Sequence, residues 1–274
     1  MPDTTDKKTT EQLRPFIENV EAIHRASATK LFSELLSQPD GKKMFFDAVV
    51  SAFKTMHGSL GGPFDPYNVD AMHRLACGID SCEYASANMA GKPRFASREQ
   101  LLSYAIKNIR LHGPVLEFGV FSGHTINHIA SILQSSKIYG FDSFEGLPEA
   151  WFGKSEKGLF SAEGKLPKVR ANVELIVGWF DRTLPAFLDS HSMENISLLH
   201  IDCDIYSSTQ TIFSYLYEKI VPGTIIVFDE YFNYPEWKRH EFRAFQEFVN
   251  FRQRRYEYIG LVPVHEQVAI RILG

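Results

Sequence analysis

The spacing of apolar residues changes along the chain near residue 112. Before that point, apolar side chains fall on one helical face, as at Leu31, Leu35 and Leu36 and again at Val49 and Phe53. This spacing is typical of an amphipathic helix. After residue 112, short apolar runs rich in β-formers alternate with helix-length segments. The pattern therefore predicts a helical first part and a second part of repeated strand–helix units.

The first part shows no strand pattern between residues 11 and 112. A glycine- and proline-containing stretch at 57–66 divides a first helical hairpin from a second segment, which ends in a helix at 97–111. We expect residues 1–112 to form a helical N-terminal extension, acting as a lid over a site or as a dimer contact. Residues 113–274 are expected to form the main domain.

Five strands are predicted in the second part, at residues 115–118, 138–141, 173–177, 198–201 and 224–228, with helices between them. This order predicts an α/β fold with a doubly wound, mostly parallel sheet. After a helix at 241–254, the segments 256–264 and 267–273 are separated by a short turn, which predicts an antiparallel C-terminal hairpin. A parallel sheet closed by such a hairpin resembles the Rossmann-like fold of class I methyltransferases. The resemblance implies S-adenosylmethionine as cofactor.

Composition narrows the classes of partner. The 274 residues carry 29 lysines and arginines against 33 aspartates and glutamates, a formal net charge of −4, which gives no general attraction to nucleic acid or anionic lipid. The longest apolar runs are strand-sized, well below the roughly 20 residues of a membrane-spanning helix. Three cysteines without C-x-x-C spacing, and an N-terminus without an apolar signal segment, predict a cytoplasmic protein without nucleic-acid or membrane partners.

A glycine loop follows the first predicted strand, with the sequence EFGVFSGHT at 117–125. Gly119 permits a tight turn and close approach of a ligand, and Gly123 lets the next helix begin close to the sheet. The spacing E-x-G-x-x-x-G departs from G-x-G-x-x-G, which disfavours a pyrophosphate. Glu117 could instead reach the amino group of an amino-acid moiety. We expect Glu117, Phe118, Gly119, Gly123 and Thr125 to bind the cofactor.

The next two strand ends extend this predicted cofactor site. Asp142 ends the second strand about 20 residues after the loop, where a carboxylate can accept hydrogen bonds from both ribose hydroxyls, and Ser143 follows it. Gly178 follows the third strand and permits close approach of a ligand. Trp179 or Phe180 could stack on adenine.

Carboxylates follow the fourth and fifth strands, at Asp202, Asp204, Asp229 and Glu230. Concentrated negative charge at this edge of a sheet calls for a counter-ion, and oxygen ligands suit Mg²⁺ or another divalent cation. We expect at least two of the four to bind metal. Asp202 or Asp204 could serve as the catalytic base, and Asp202 could also contact the cofactor. His200 is expected to be a core histidine.

Two segments are candidate substrate-binding elements. The insertion at 145–160 is long and contains glycine, as lids and recognition loops do. The segment 231–237 offers aromatic side chains for a sugar or a ring. Tyr215 and Lys219 have the Y-x-x-x-K spacing of an NAD(P)-dependent reductase, but this spacing arises often by chance. A non-catalytic protein that binds S-adenosylmethionine is a further alternative, which the clustered carboxylates disfavour.

Four motifs together resemble the macrocin O-methyltransferase family: EFGVFSG at 117–123, YGFDSFEGLP at 139–148, HIDCDIYSST at 200–209 and PGTIIVFDEY at 222–231. The resemblance covers the chain from about residue 97 to the C-terminus. One departure is the Asp-Glu pair after the fifth strand, where Asp-Asp is more usual.

The resemblance implies O-methylation that depends on S-adenosylmethionine and Mg²⁺, typically at a sugar hydroxyl of a natural product. It implies that Glu117, Gly119 and Asp142 hold the cofactor, and that Asp202 or Asp204, with Asp229 and Glu230, holds the metal. We expect a homodimer acting on a small-molecule or glycosylated acceptor. A glycosylated metabolite, a polysaccharide sugar and a phenolic ring all stay open as that acceptor.

Overall fold

The computed structural model describes residues 40–60, 69–151 and 156–274. Contacts divide the chain into two compact units, Met1–Met72 and His73–Gly274, which we describe separately. The predicted helical stripe at Leu31, Leu35 and Leu36 lies outside the described residues. Within the described segments, every helix is too short or too polar to cross a lipid bilayer.

Helix α1 (Gly41–Leu60) lies in the first unit. The predicted break at residue 57 is wrong in its position, because the helix continues through Gly58 to Leu60. A single glycine in a helix costs only about 1 kcal/mol relative to alanine, which is too little to end the helix by itself. The rest of the glycine–proline stretch lies outside the described residues.

A seven-stranded sheet forms the second unit. Its strands are β1 (Val115–Phe118), β2 (Ile138–Asp142), β3 (Val173–Val177), β4 (Leu198–Ile201), β5 (Ile225–Phe228), β6 (Tyr256–Leu261) and β7 (Val268–Ile272). The spatial order is β3-β2-β1-β4-β5-β7-β6; strands β1 to β5 are parallel, and β7 is antiparallel to both neighbours. The predicted doubly wound sheet with a C-terminal hairpin is confirmed.

The remaining helices are α2 (Val69–Asn88), α3 (Arg98–Lys107), α4 (His124–Ile132), α5 (Phe180–Ser190), α6 (Tyr206–Leu216), a short 3₁₀ helix (Trp237–Arg239) and α7 (Glu241–Phe251). Between β2 and β3 the described residues contain no helix, so the prediction of a helix there is wrong. The segment instead closes on itself, since Leu147 donates its backbone N–H to Leu159 and Ala162 donates to Phe144.

Apolar side chains cover both faces of the sheet. Along β1, Leu116 and Phe118 belong to one buried cluster, whereas Val115 belongs to the other. All residues of β1, β4 and β5 are buried, as expected for central parallel strands covered on both sides. This packing fixes the strands whose carboxyl ends carry the candidate site.

Most of helix α2 also belongs to the second unit, although the sequence places it in the N-terminal extension. The hydroxyl oxygens of Tyr84 and Tyr258 lie 2.6 Å apart, and Trp237 Nε1 donates to Asp80 Oδ2 at 3.1 Å. The described contacts therefore divide the chain at Met72. The role of residues 1–112 as a lid or dimer contact stays a prediction.

Candidate active site

A cavity of about 600 Å³ opens at the carboxyl ends of the parallel strands. It brings together nine of the residues that the sequence predicts for the site: Gly119, Thr125, Asp142, Ser143, Trp179, Asp202, Asp204, Asp229 and Glu230. The other four, Glu117, Phe118, Gly123 and Gly178, do not line it. The cavity lies where open α/β sheets bind their ligands.

The glycine loop turns sharply at the end of β1. Gly119 has φ +90°, and a Cβ atom there would lie 1.6 Å from the backbone oxygen of Asp202. Gly123, with φ +78°, caps the N-terminus of α4. The chain therefore needs glycine at 119 for two reasons, the backbone conformation and the close approach of β4.

The carboxylate of Asp142 ties this loop to β2. Its Oδ2 accepts the backbone N–H groups of Val120 and Phe121, each at 2.8 Å, and its Oδ1 accepts that of Phe144 at 2.7 Å. Asp142 thus fixes the conformation of the loop. Its contact with a ribose stays a prediction. Oδ1 accepts only one hydrogen bond from the described residues, so it could accept another from a ribose hydroxyl.

The residues after β3 lie at the other side of the cavity. Gly178 adopts φ +137° and donates its backbone N–H to Asp142. Trp179 and Phe180, the two predicted alternatives for stacking on adenine, both line the cavity. Phe180 also packs edge-to-face on the buried ring of Phe118. Phe118 is therefore a core residue beneath the cavity.

Glu117 is fully buried instead of facing the cavity. Its Oε1 accepts the Thr125 hydroxyl at 3.0 Å, and its Oε2 lies 2.9 Å from Nδ1 of His200. Nε2 of His200 lies 3.7 Å from Oδ1 of Asp229. Burial opposes a charged imidazole, but Asp229 and Glu117 outweigh it and raise the pKa of His200 to about 10. The two carboxylates therefore favour the protonated form of His200.

The predicted carboxylates do converge. Burial raises the pKa of Asp202 and of Glu230 well above the ordinary value, and burial together with Asp229 raises that of Asp204 to about 7. For Asp229, the neighbouring His200 and Arg98 outweigh burial and lower the pKa. The cluster is therefore a set of carboxylates in competition for positive charge.

Two charged residues of this cluster were not predicted. Glu241, at the start of α7, is fully buried and accepts the backbone N–H of Cys203 and of Glu230. Arg98, at the start of α3, donates through Nη1 to Oδ2 of Asp229 at 2.9 Å and to Oδ2 of Asp202 at 3.4 Å. Arg98 lies 104 positions before Asp202, and Glu241 lies 11 positions after Glu230 on a separate helix, so neither belongs to a motif with the predicted carboxylates.

The donor set fits a metal ion. Ligand atoms of Asp202 and Asp229 lie within 4.8 Å of each other and of a His200 nitrogen. Because a protonated imidazole has no lone pair to offer, the carboxylates would be the ligands. In addition, Oδ1 of Asp229 and Oε2 of Glu230 are buried and lack a hydrogen-bond partner among the described residues. Buried carboxylate oxygens without partners are costly unless a cation or a proton satisfies them. A divalent cation bound by carboxylates would meet that need.

Of the two predicted substrate segments, the insertion after β2 lines the cavity, whereas the aromatic side chains of 231–237 are buried. The insertion after β2 contributes Leu147, Pro148 and Phe160 to the cavity. The aromatic faces expected at 231–237 are not available, because the four aromatic residues of this segment are all buried: Tyr231, Phe232, Tyr234 and Trp237. They pack with residues of α2 and β6, as in the contact of 2.7 Å between the hydroxyls of Tyr231 and Tyr258.

The strand order, the C-terminal hairpin and the cavity at the strand ends define a class I methyltransferase. The solved structure of the calicheamicin methyltransferase CalS11 shares this fold, with a TM-score of 0.51 and 17% identity over 86% of this chain and 93% of that one. A family model described as Macrocin-O-methyltransferase (TylF) matches residues 50–254. The chain belongs to this family of S-adenosylmethionine-dependent O-methyltransferases. The match begins closer to the N-terminus than the expected residue 97, and it ends at residue 254 instead of reaching the C-terminus.

Two curated relatives are similar over shorter stretches. Demethyldecarbamoylnovobiocin O-methyltransferase of Streptomyces niveus is 26% identical over 57% of this chain and 67% of its own. A second relative, from Streptomyces olivaceus, is 8-demethyl-8-(2,3-dimethoxy-alpha-L-rhamnosyl)-tetracenomycin-C 4′-O-methyltransferase. It is 26% identical over 47% of this chain and 58% of its own.

Tyr215 and Lys219, the basis of the reductase alternative, do not line the cavity.

Proposed function

We propose that this enzyme methylates a sugar hydroxyl of a glycosylated natural product, and that it requires Mg²⁺ or another divalent cation. One observation carries the proposal: a glycine loop and buried carboxylates with unpartnered oxygens share one cavity. The names of the relatives support the acceptor class, since one of them methylates the 4′ oxygen of a rhamnosyl compound.

The cofactor would bind along the glycine loop. The free backbone N–H groups and the dipole at the N-terminus of α4 attract an anion, and the carboxylate of the methionine moiety would be that anion. Asp142 and Ser143 would meet the ribose, and Trp179 lies at the wall where adenine would stack. S-adenosylmethionine supplies the methyl group as an electrophile on a positively charged sulfur.

Two exposed rings at the cavity suit an apolar acceptor. Phe121 and Phe160 are each 45% exposed, and their ring centroids lie 5.9 Å apart. Both residues adopt positive φ, of 44° and 63°, a strained conformation for a side chain of this size. We propose that they contact the flat part of the acceptor while its sugar reaches the carboxylates.

We propose that Asp202, Asp229 and Glu230 hold the metal and that Asp204 is the base. The ion would polarise the acceptor hydroxyl and lower its pKa. Asp204 would accept the proton of the acceptor hydroxyl as the methyl group passes from the cofactor sulfur to that oxygen, which would leave S-adenosylhomocysteine. Asp204 lines the cavity with φ +64°, which turns the chain sharply after β4.

Calorimetric titration with S-adenosylhomocysteine, against NADH, tests the cofactor site. We expect binding of S-adenosylhomocysteine alone, weakened about tenfold or more in Asp142→Asn, because an amide nitrogen would face the N–H groups of the loop. Asp181→Asn, which also changes a cavity carboxylate, is the matched control. Tight binding of NADH, or equal affinities for both variants, would contradict the site.

Transfer of a labelled methyl group to glycosides and to their matching aglycones tests the acceptor. We expect transfer to the glycosides only, with loss of activity in EDTA and recovery on addition of Mg²⁺. Transfer to the aglycones would instead favour a phenolic acceptor.

The homodimer and the cytoplasmic location stay predictions, and light scattering of the purified protein tests the dimer.

A further inference from the structure

The carboxylate cluster contains its own cation. Five acidic side chains meet there: Asp202, Asp204, Asp229, Glu230 and Glu241. Among the described residues that surround them, the cations are Arg98 and the buried His200. His200 is engaged from below by Glu117, whereas Arg98 approaches from the cavity side.

Arg98 uses the same oxygens that a metal ion would need. A single nitrogen, Nη1, contacts Oδ2 of Asp229 and Oδ2 of Asp202. This is a bridge by one nitrogen and not the parallel two-nitrogen contact that makes arginine–carboxylate pairs strongest. Gln267 Nε2 also donates to Oδ2 of Asp229 at 3.3 Å, whereas Oδ1 has no hydrogen-bond partner among the described residues and lies 3.7 Å from Nε2 of His200. The bridge therefore joins the two carboxylates without satisfying them.

The helix that carries Arg98 is anchored independently of this bridge. Ser97 caps α3 by accepting the backbone N–H of Gln100, and the Gln100 side chain accepts the backbone N–H of Ala96. Glu99 also contacts His124 at 3.1 Å. The Arg98 side chain is 31% exposed. It can therefore leave the carboxylates while its backbone stays in place.

We propose that Arg98 is a resident counter-ion, which occupies the cation position between Asp202 and Asp229 and is displaced when a divalent cation binds. The inference rests on the proposed metal site. In the absence of metal, Arg98 balances the charge of the pair and holds its two carboxylates together. Metal binding must break the contacts of Arg98 and then tolerate its charge nearby, so the residue lowers the affinity for metal and positions the ligands.

Mn²⁺ binding measured by electron paramagnetic resonance tests this without reference to activity. We expect Arg98→Met to bind Mn²⁺ about tenfold or more tightly than the wild type, since a charge-assisted contact no longer competes. Arg98→Lys keeps the charge but places it on a more strongly hydrated ammonium group, so it should lie between them. Arg239→Met removes the same charge from a side chain that is 71% exposed, and should bind as the wild type does.

The outcomes separate two failures. If the wild type binds Mn²⁺ and Arg98→Met binds it equally or more weakly, the proposed exchange of Arg98 for a divalent cation is wrong, but the metal site itself is supported. If no variant binds Mn²⁺, the metal site itself is wrong, and the exchange with it. Thermal unfolding gives a second readout for a weakened variant. Without metal, Arg98→Met should unfold at a lower temperature than the wild type, and Mn²⁺ should raise its unfolding temperature by more. Equal increases would overturn the exchange.

Discussion

Nδ1 of His200 lies 2.9 Å from Oε2 of Glu117, and both side chains are completely buried on neighbouring strands. A buried pair of this kind is strongly coupled to folding, because removing the charge of Glu117 leaves the buried His200 with only the longer contact of 3.7 Å to Asp229 among the described carboxylates. We expect Glu117→Gln to lower the free energy of unfolding by about 3–5 kcal/mol. Urea unfolding followed by circular dichroism measures it.

Glu174→Gln is the matched control for this prediction. Glu174 lies on β3 and pairs with Lys137 at the protein surface, where solvent screens the interaction. Its substitution should change the free energy of unfolding far less than Glu117→Gln does. Similar effects of the two variants would show that the buried pair is not a charged one.

The sequence is sufficient to predict the strands but not where every side chain of a strand lies in the fold. Strand β1 was predicted with its observed bounds, because central strands are continuous apolar runs. The sequence predicts Glu117 as a ligand of the cofactor, whereas the register of β1 against β4 pairs it with His200 beneath the site.

Arg98 and Glu241 show why other site residues could not be found. Each reaches the cluster from the first turn of a helix, and its distance from Asp202 depends on how that helix packs on the sheet. Such tertiary contacts leave no spacing pattern in the sequence. The prediction that the aromatic side chains of 231–237 face a substrate is wrong for the same reason, since helix α2 covers this segment.

The backbone of Gly119 gives a second prediction. Gly119→Ala would place Cβ 1.6 Å from the oxygen of Asp202, at φ +90°. We expect a loss of stability about 1–3 kcal/mol greater than that of Gly164→Ala, together with loss of S-adenosylhomocysteine binding. Gly164 also has positive φ, +72°, but open space around its Cβ position, so it isolates the backbone strain. Equal losses would mean that the loop can move away from β4.

The proposed base gives a third prediction. Asp204→Asn should lower kcat by about 10²–10⁴-fold while leaving the affinity for S-adenosylhomocysteine unchanged. Asparagine is a suitable replacement because it tolerates the positive φ of this position. Asp181→Asn, at the same cavity, should retain kcat. An active Asp204→Asn enzyme would return Asp202 to consideration as the base.

Glu99 gives a pH prediction at the start of helix α3. Hydrogen bonds from Ser97, from its own backbone N–H and from His124 lower the pKa of Glu99 to about 2 in the folded protein, from an ordinary value of 4.5. Because the folded-state pKa is the lower one, the carboxylate stabilises the fold above pH 4.5, and the contribution is lost as the pH falls from 4.5 toward 2. The Glu99 side chain is 35% exposed, so solvent screening keeps the effect small.

Urea unfolding of the wild type and of Glu99→Gln, at several pH values from about 6 down to about 3, measures this contribution. We expect the wild type to be the more stable protein at the upper end and the two to converge as the pH falls. Glu163→Gln removes a carboxylate that is 78% exposed and is the matched control. A difference between the wild type and Glu99→Gln that stays constant with pH would assign the effect of the substitution to packing. In that case the charge of Glu99 would not stabilise the helix that carries Arg98.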